Sequence, residues 1–147
     1  MSLQSWLESG WLKAYRTSSS EVSELLKAID RDLADAQVHE LSTDRRFATA
    51  YNAALLAATV ALAAAGYRAA REGHHYWTIQ SLAFTMNLDP KTIGRLDMFR
   101  RKRNIADYER VGTVSERETR EMLALAKRLQ ATVAEWLKKN HPQLLPE

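Results

Sequence analysis

The chain has 147 residues, no cysteine and a formal net charge of +3. This length suits one domain around one hydrophobic core, and we expect a single domain over residues 1–147. The lack of cysteine excludes disulfides, thiolate metal sites and cysteine nucleophiles. The N-terminal residues lack the basic start and the apolar run of a secretory signal, so the sequence predicts a cytoplasmic protein.

Helix-forming residues dominate the chain, and none of its segments alternates as a half-buried strand would. The predicted fold class is therefore all-α, a four- to five-helix up-and-down bundle whose core occupies about residues 20–140. A short accessory helix is expected within residues 1–15, where Leu3, Trp6 and Trp11 share one side. The two tryptophans are expected to be core or interface anchors.

Serine residues mark where the next helices begin. Ser18, with a glutamate three residues later, has the form of a capping box and predicts a helix that continues to about Val38. Ser42 predicts a third helix, which we expect to run until Gly73 closes it in a left-handed conformation. The alanine-rich residues 53–66 of this helix are too few to span a bilayer, so they predict a packing helix in the middle of the bundle.

Similar signals organise the second half of the chain. Residues 74–86 predict a shorter helix, and Asp89 followed by Pro90 predicts the start of another. Gly112 is expected to interrupt that helix. Ser115, again with a glutamate three residues later, predicts the start of the last long helix.

Positive charge is concentrated in the helix that follows Pro90. Seven cationic and three anionic residues lie between Lys91 and Val111, although the chain as a whole is only mildly basic. Such a segment attracts phosphate groups. The candidate phosphate- or RNA-binding residues are Arg100, Arg101, Lys102, Arg103, Asn104 and Tyr108.

Arg101, Asn104 and Tyr108 are spaced so that they share one side of the predicted helix. Residues seven apart on a helix differ by only about 20° in direction, so Arg101 and Tyr108 share one side with Asn104 between them. Met98 and Ile105 share much of that side. We therefore expect the three polar residues to occupy a seam beside apolar neighbours.

The segment RRKRNIADY, with Arg101-x4-Ala106-x-Tyr108, resembles the HEPN superfamily (higher eukaryotes and prokaryotes nucleotide-binding). The preceding GYRAAREGHHYWTIQSL is similar to a bacterial branch of it. Many members carry Arg-x4-6-His and use both residues at a two-fold dimer interface to cut RNA without a metal. The resemblance implies a homodimeric helical bundle, without a cofactor, that belongs to a toxin-antitoxin or defence-like system.

The chain departs from the family motif at its histidine. That position holds Ala106, which can neither accept nor donate a proton. The resemblance therefore implies an RNA- or nucleotide-associated module with weak or no catalysis. His74 and His75 could restore a histidine if the fold brings one beside Arg101, which makes these three residues the candidates for catalysis.

Two alternative functions remain open at this point. One is a protein-interaction bundle that pairs with a nucleotidyltransferase-like or other acidic partner, and the other is a metal-independent ribonuclease that uses His74 or His75. The basic run can also be a solvated helix face, and the two histidines can be helix caps. Because no metal-ligand spacing such as H-E-x-x-H occurs, we predict neither a metal site nor a bound cofactor.

Overall fold

A computed structural model of the chain describes residues 1–108 and 114–146, except for the side chains of residues 105–108. The predicted all-α bundle of about five helices is confirmed, because helices make up most of the described chain. The elements in chain order are α1 (Leu3–Glu8), β1 (Leu12–Ala14), α2 (Ser19–Asp35), α3 (Thr43–Ala64), β2 (Tyr67–Ala69), α4 (His74–Gln80), α5 (Leu82–Thr85), α6 (Pro90–Tyr108), α7 (Glu116–Asn140) and a 3-10 turn (Pro142–Leu144).

Helix α3 lies at the centre of the bundle and packs along α2 and α7. Ala53, Ala57 and Ala61 are fully buried, since small side chains let neighbouring helices approach closely. By length and composition alone, α3 is also long and apolar enough to cross a membrane, but 67% of its apolar window is buried inside the bundle. The predicted central packing helix is confirmed.

Serine caps begin the long helices where the sequence predicts them. Ser18, Ser42 and Ser115 each accept a hydrogen bond from the backbone N–H three residues later, at 3.0 to 3.2 Å. Asp89 accepts one in the same way at 2.9 Å, and Pro90 is the first residue of α6. These bonds satisfy amide groups that have no partner inside the helix.

The two predicted capping boxes differ in outcome. At Ser115 the box is complete, because the Glu118 carboxylate accepts a hydrogen bond from the Ser115 N–H at 3.0 Å. At Ser18 only the serine half forms. The Glu21 carboxylate instead accepts hydrogen bonds from the hydroxyls of Tyr15 at 2.5 Å and Thr17 at 2.6 Å.

A short antiparallel sheet occupies positions where helix was expected. Strand β1 pairs with β2, and Leu12 lies opposite Ala69. The helix predicted within residues 1–15 therefore ends at Glu8. The prediction that no strand forms is wrong, because three-residue strands are too short to show a period and their partner lies far away in sequence.

The predicted end of the third helix is also wrong. Helix α3 ends at Ala64, and Gly66, with φ of 101°, turns the chain into β2. Gly73 does adopt the expected left-handed conformation, but it stands at the start of α4 and does not close α3. The predicted interruption at Gly112 lies outside the described residues.

The described residues form two apolar clusters. The larger fills the space between α2, α3, α6 and α7. The smaller lies under the sheet and holds the N-terminal segment to the bundle through Trp6, Leu12, Leu62 and Ala69. The accessory segment is thus docked through its own small core.

Candidate functional site

The face of α6 that packs onto the bundle is defined by apolar residues spaced three apart. Ile93, Leu96 and Phe99 are buried, and the ring of Phe99 meets that of Phe47 on α3 edge to face at 5.5 Å. Each residue turns a helix by about 100°, which places Arg103 between Leu96 and Phe99 around the axis. Arg103 therefore projects from the side of α6 that faces the bundle.

Arg101 lies on a different side of α6. Its side chain is 65% exposed, and its Nε lies 3.6 Å from Oδ2 of Asp97. Met98 is also exposed, and Asn104 is half-buried. The prediction that Arg101 lies in a seam beside apolar neighbours, away from open solvent, is therefore wrong for this residue. The side chain of Tyr108 lies outside the described residues.

The remaining predicted cations point in two directions. Lys102 Nζ lies 3.4 Å from Oε2 of Glu118, so this lysine links α6 to α7. Arg100 Nε donates a hydrogen bond to Oδ1 of Asp97 at 2.8 Å. The Arg100 guanidinium also lies 5.5 Å from the centre of the Tyr76 ring, which turns it towards α4.

His75 on α4 reaches across to α3 and approaches the arginines of α6. Its Nδ1 lies 3.2 Å from the hydroxyl of Tyr51, and the Arg103 guanidinium lies 5.9 Å from the centre of the same tyrosine ring. Burial is the main reason why the pKa of His75 is lowered. The charges of Arg103, His74 and Arg100 lower it further, so His75 is neutral at pH 7.

The contact between the Tyr51 hydroxyl and Nδ1 couples the proton arrangement of His75 to the direction of this hydrogen bond. Tyr51 is only 1% exposed, and burial raises its pKa, so the phenol keeps its proton. When Tyr51 donates to Nδ1, the neutral imidazole of His75 carries its proton on Nε2. His75 is then a hydrogen-bond donor held in place by α3.

We call Tyr51, His75, Tyr76, Arg100 and Arg103 the α4–α6 cluster. It combines two guanidinium groups, which are strong donors to anions, with the N–H of a neutral imidazole. This combination suits an oxyanion such as a phosphate. Within the described residues, no group of three His, Asp or Glu side chains could hold a metal ion.

The two adjacent histidines face different surroundings. His74 is exposed and lines a cavity of about 280 Å³ together with Tyr15, Glu21 and Arg68, on the side of the sheet and α2. His75 joins the α4–α6 cluster instead. The structure thus brings one of the two candidate histidines to the basic helix, beside Arg103 and Arg100 and not beside Arg101.

Two members of the cluster were not among the predicted site residues. Tyr51 lies on α3 and Tyr76 on α4, and both meet α6 only through the tertiary fold. For Tyr51 no local signal exists. The inward direction of Arg103, in contrast, follows from the spacing of Ile93, Leu96 and Phe99 in the sequence.

Comparison of the chain with protein-family models, curated proteins and solved structures finds no significant match.

Proposed function

We propose that this chain is an RNA-binding helical bundle of HEPN type, in which the α4–α6 cluster holds a backbone phosphate. One observation carries the proposal: Arg100 and Arg103 project from one side of the basic helix towards a neutral histidine. Arginine and imidazole N–H groups are common donors to phosphate oxygens. Arg101, which is exposed on the same helix, adds electrostatic attraction at longer range.

Binding is favoured over cleavage by the chemistry of His75. A general base needs an unprotonated nitrogen at the ribose hydroxyl, and a general acid needs a proton to give. Nδ1 of His75 is engaged by Tyr51, and its lowered pKa disfavours the protonated acid form. Ala106 stands where the family motif has its histidine. The proposed activity is therefore association with RNA, or with a nucleotide that carries the same phosphate chemistry.

The resemblance to the HEPN superfamily adds two further proposals. The chain associates as a homodimer, and it belongs to a toxin-antitoxin or defence-like system. Sedimentation of the purified protein tests the first of these. A constant mass of one chain across micromolar concentrations would contradict it.

RNA binding is measured by fluorescence anisotropy of a labelled single-stranded RNA at low salt. We expect Arg103→Ala to weaken binding about tenfold, because one charge-assisted contact to phosphate is lost. The slope of log affinity against log salt should fall by about 0.7, the contribution of one phosphate contact to a single strand. Arg101→Ala should weaken binding less, since its side chain is exposed on a different side of α6 from the α4–α6 cluster.

The matched control is Arg128→Ala, which removes an exposed arginine from α7 and so lowers the net charge equally. This variant should bind like the wild-type chain. If Arg100→Ala and Arg103→Ala bind RNA as tightly as Arg128→Ala does, the α4–α6 cluster is not a phosphate site and the proposal fails.

A metal-independent ribonuclease is the second candidate, because His75 and Arg103 both lie at the ring of Tyr51. The test is incubation of mixed-sequence RNA with the protein in EDTA. Cleavage that disappears in His75→Gln and persists in His74→Gln would support this function. RNA that stays intact, or cleavage that survives both substitutions, removes it.

A further inference from the structure

We infer that one base of a bound single-stranded RNA stacks in a cleft beside Trp11, next to the phosphate site. This inference rests on the proposed function and names how the same surface recognises its ligand. Four observations support it. They are an unbroken run of aromatic contacts, the exposure of Trp11 at one end of this run, the shape of the cleft beside Trp11, and the positive charge at the α6 end of the run.

The aromatic run connects the N-terminal segment to the basic helix. Trp11 and Trp77 are stacked with ring centres 4.3 Å apart and planes 9° from parallel. Tyr76 meets Trp77 edge to face at 5.0 Å, and Arg100 lies over Tyr76 at 5.5 Å. Each contact joins the next, so Trp11 and Arg100 lie at opposite ends of one continuous run of side chains.

The outer ring of this run is exposed but firmly supported. Trp11 is 38% exposed, although tryptophan is the side chain that gains most from burial. Trp6, which is 4% exposed, contacts the rings of both Trp11 and Trp77 edge to face. Nearly parallel rings held in this way resemble the stacking platforms on which proteins bind unpaired bases.

A cleft of about 480 Å³ opens at the stacked pair. Its volume lies in the range of small-ligand sites, about 300 to 1,000 Å³. Gly10 and Gly73, both with positive φ, line it without side chains, and Glu72 supplies a carboxylate. That carboxylate would repel a phosphate but can accept a hydrogen bond from the amino group of a base.

The distribution of charge along the aromatic run indicates which kind of ligand fits it. The cations Arg100 and Arg103 lie at the α6 end of the surface, and the aromatic cleft with its one acid lies at the other end. A strand of RNA offers a phosphate and a base at adjacent positions. Its bases are accessible only when they are unpaired, so the surface fits single-stranded RNA and not a duplex.

The experiment compares two probes of equal length and charge, an eight-residue oligoadenylate and an eight-residue abasic ribose phosphate. Trp11→Leu should weaken binding of the oligoadenylate about tenfold, the usual cost of losing one stacked base, and leave binding of the abasic probe unchanged. Trp11→Phe should retain most of the affinity because the ring is kept. Trp136→Leu is the control, since Trp136 is a partly buried tryptophan of α7 that does not line the cleft.

The outcomes separate the two proposals. If Trp11→Leu and Trp136→Leu bind both probes as the wild-type chain does, or if Trp11→Leu weakens both probes equally, base stacking at Trp11 is wrong while phosphate binding stands. If the wild-type chain binds neither probe, both proposals fail. A change of sedimentation coefficient caused by Trp11→Leu alone would assign this surface to a second copy of the chain and overturn the inference. Thermal unfolding of each variant verifies that it is folded.

Discussion

Because the folded protein holds His75 in its neutral form, the free energy of unfolding depends on pH. The ring is half-buried between Tyr51 of α3 and the guanidinium groups of Arg100 and Arg103 on α6, with His74 beside it on α4. Burial of the ring and the charges of Arg103, His74 and Arg100 each disfavour a positive charge on the imidazole. Protonation of His75 therefore lowers the free energy of unfolding.

We expect the free energy of unfolding to fall as the pH is lowered from about 6.5. Unfolding returns the pKa of His75 to its ordinary value of 6.5, so below this pH the unfolded chain binds more protons than the folded one. The stabilisation that comes from keeping His75 neutral is complete above pH 6.5, and it is lost as the pH falls towards the lowered pKa of His75 in the folded protein. Urea unfolding between about pH 8 and pH 5.5 measures it.

His75→Gln should flatten this part of the pH profile, because it removes the titrating group. His39→Gln, on the exposed turn between α2 and α3, is the matched substitution with which its profile is compared. Carboxylates with a lowered pKa, such as that of Glu116, change the free energy of unfolding only from about pH 4.5 downward. They therefore do not affect the part of the profile that is assigned to His75. An unchanged slope in His75→Gln would contradict the buried, neutral histidine.

The arginines of α6 illustrate how far residue positions can be predicted from sequence. The register of Arg101, Asn104 and Tyr108 on one side of a helix follows from geometry alone. Which side faces inward depends on the apolar residues, and Leu96 and Phe99 direct Arg103 to the bundle. The inward direction of Arg103 could therefore be predicted from the sequence, whereas its contact with Tyr51 depends on how α3 lies against α6.

At the scale of elements, the alanines of α3 determine how closely the bundle packs. Ala57 is fully buried in the helix that packs on both α2 and α7. Interiors this dense have no room for added methylene groups without shifts of side chains or backbone. The separation of the helices thus depends on small residues at the centre of the fold.

Ala57→Leu should lower the free energy of unfolding by about 1 to 3 kcal/mol, the usual cost of overpacking a core. Ala131→Leu, on the exposed side of α7, adds the same side chain to a helix without filling the core. It should change the stability by less than about 0.5 kcal/mol. Equal stability of the two variants in urea unfolding would show that the α3 interface can expand at little cost.

Helix starts were predictable and the ends less so, for a physical reason. A start is fixed by local hydrogen bonds, as at Ser42 and Asp89, where the capping side chain lies three residues from the amide it binds. The end of α3 is set by pairing of β2 with β1, more than fifty residues earlier in the chain. Gly66 and Gly73 both adopt positive φ, and only the sheet decides that the first of them ends the helix.

At the scale of the whole molecule, the described residues form two apolar clusters of unequal size, and the N-terminal segment is held mainly by the smaller one. Local stability follows the amount of buried apolar surface and the exposure of backbone hydrogen bonds. Strands β1 and β2 are three residues long and carry exposed residues such as Lys13 and Arg68. The sheet should therefore open more readily than the bundle.

Hydrogen exchange measures this difference directly. We expect the amides of β1 and β2 to exchange through local opening at a lower free energy than those in the middle of α3, which should exchange only on global unfolding. Leu12→Ala should increase the exchange of the sheet amides and leave those of α3 nearly unchanged. Protection of the sheet equal to that of α3 would indicate that the two clusters unfold as one unit.

The stacked pair of Trp11 and Trp77 has an optical consequence. Two stacked indole rings 4.3 Å apart couple their electronic transitions, and this coupling gives a pair of circular dichroism bands of opposite sign when the transition dipoles of the two rings are skewed. One ring belongs to the N-terminal segment and the other to α4, so the couplet exists only while the two are joined. The protein thus carries its own chromophore pair for following, without any label, the docking of its N-terminal segment and the entry of a ligand beside Trp11.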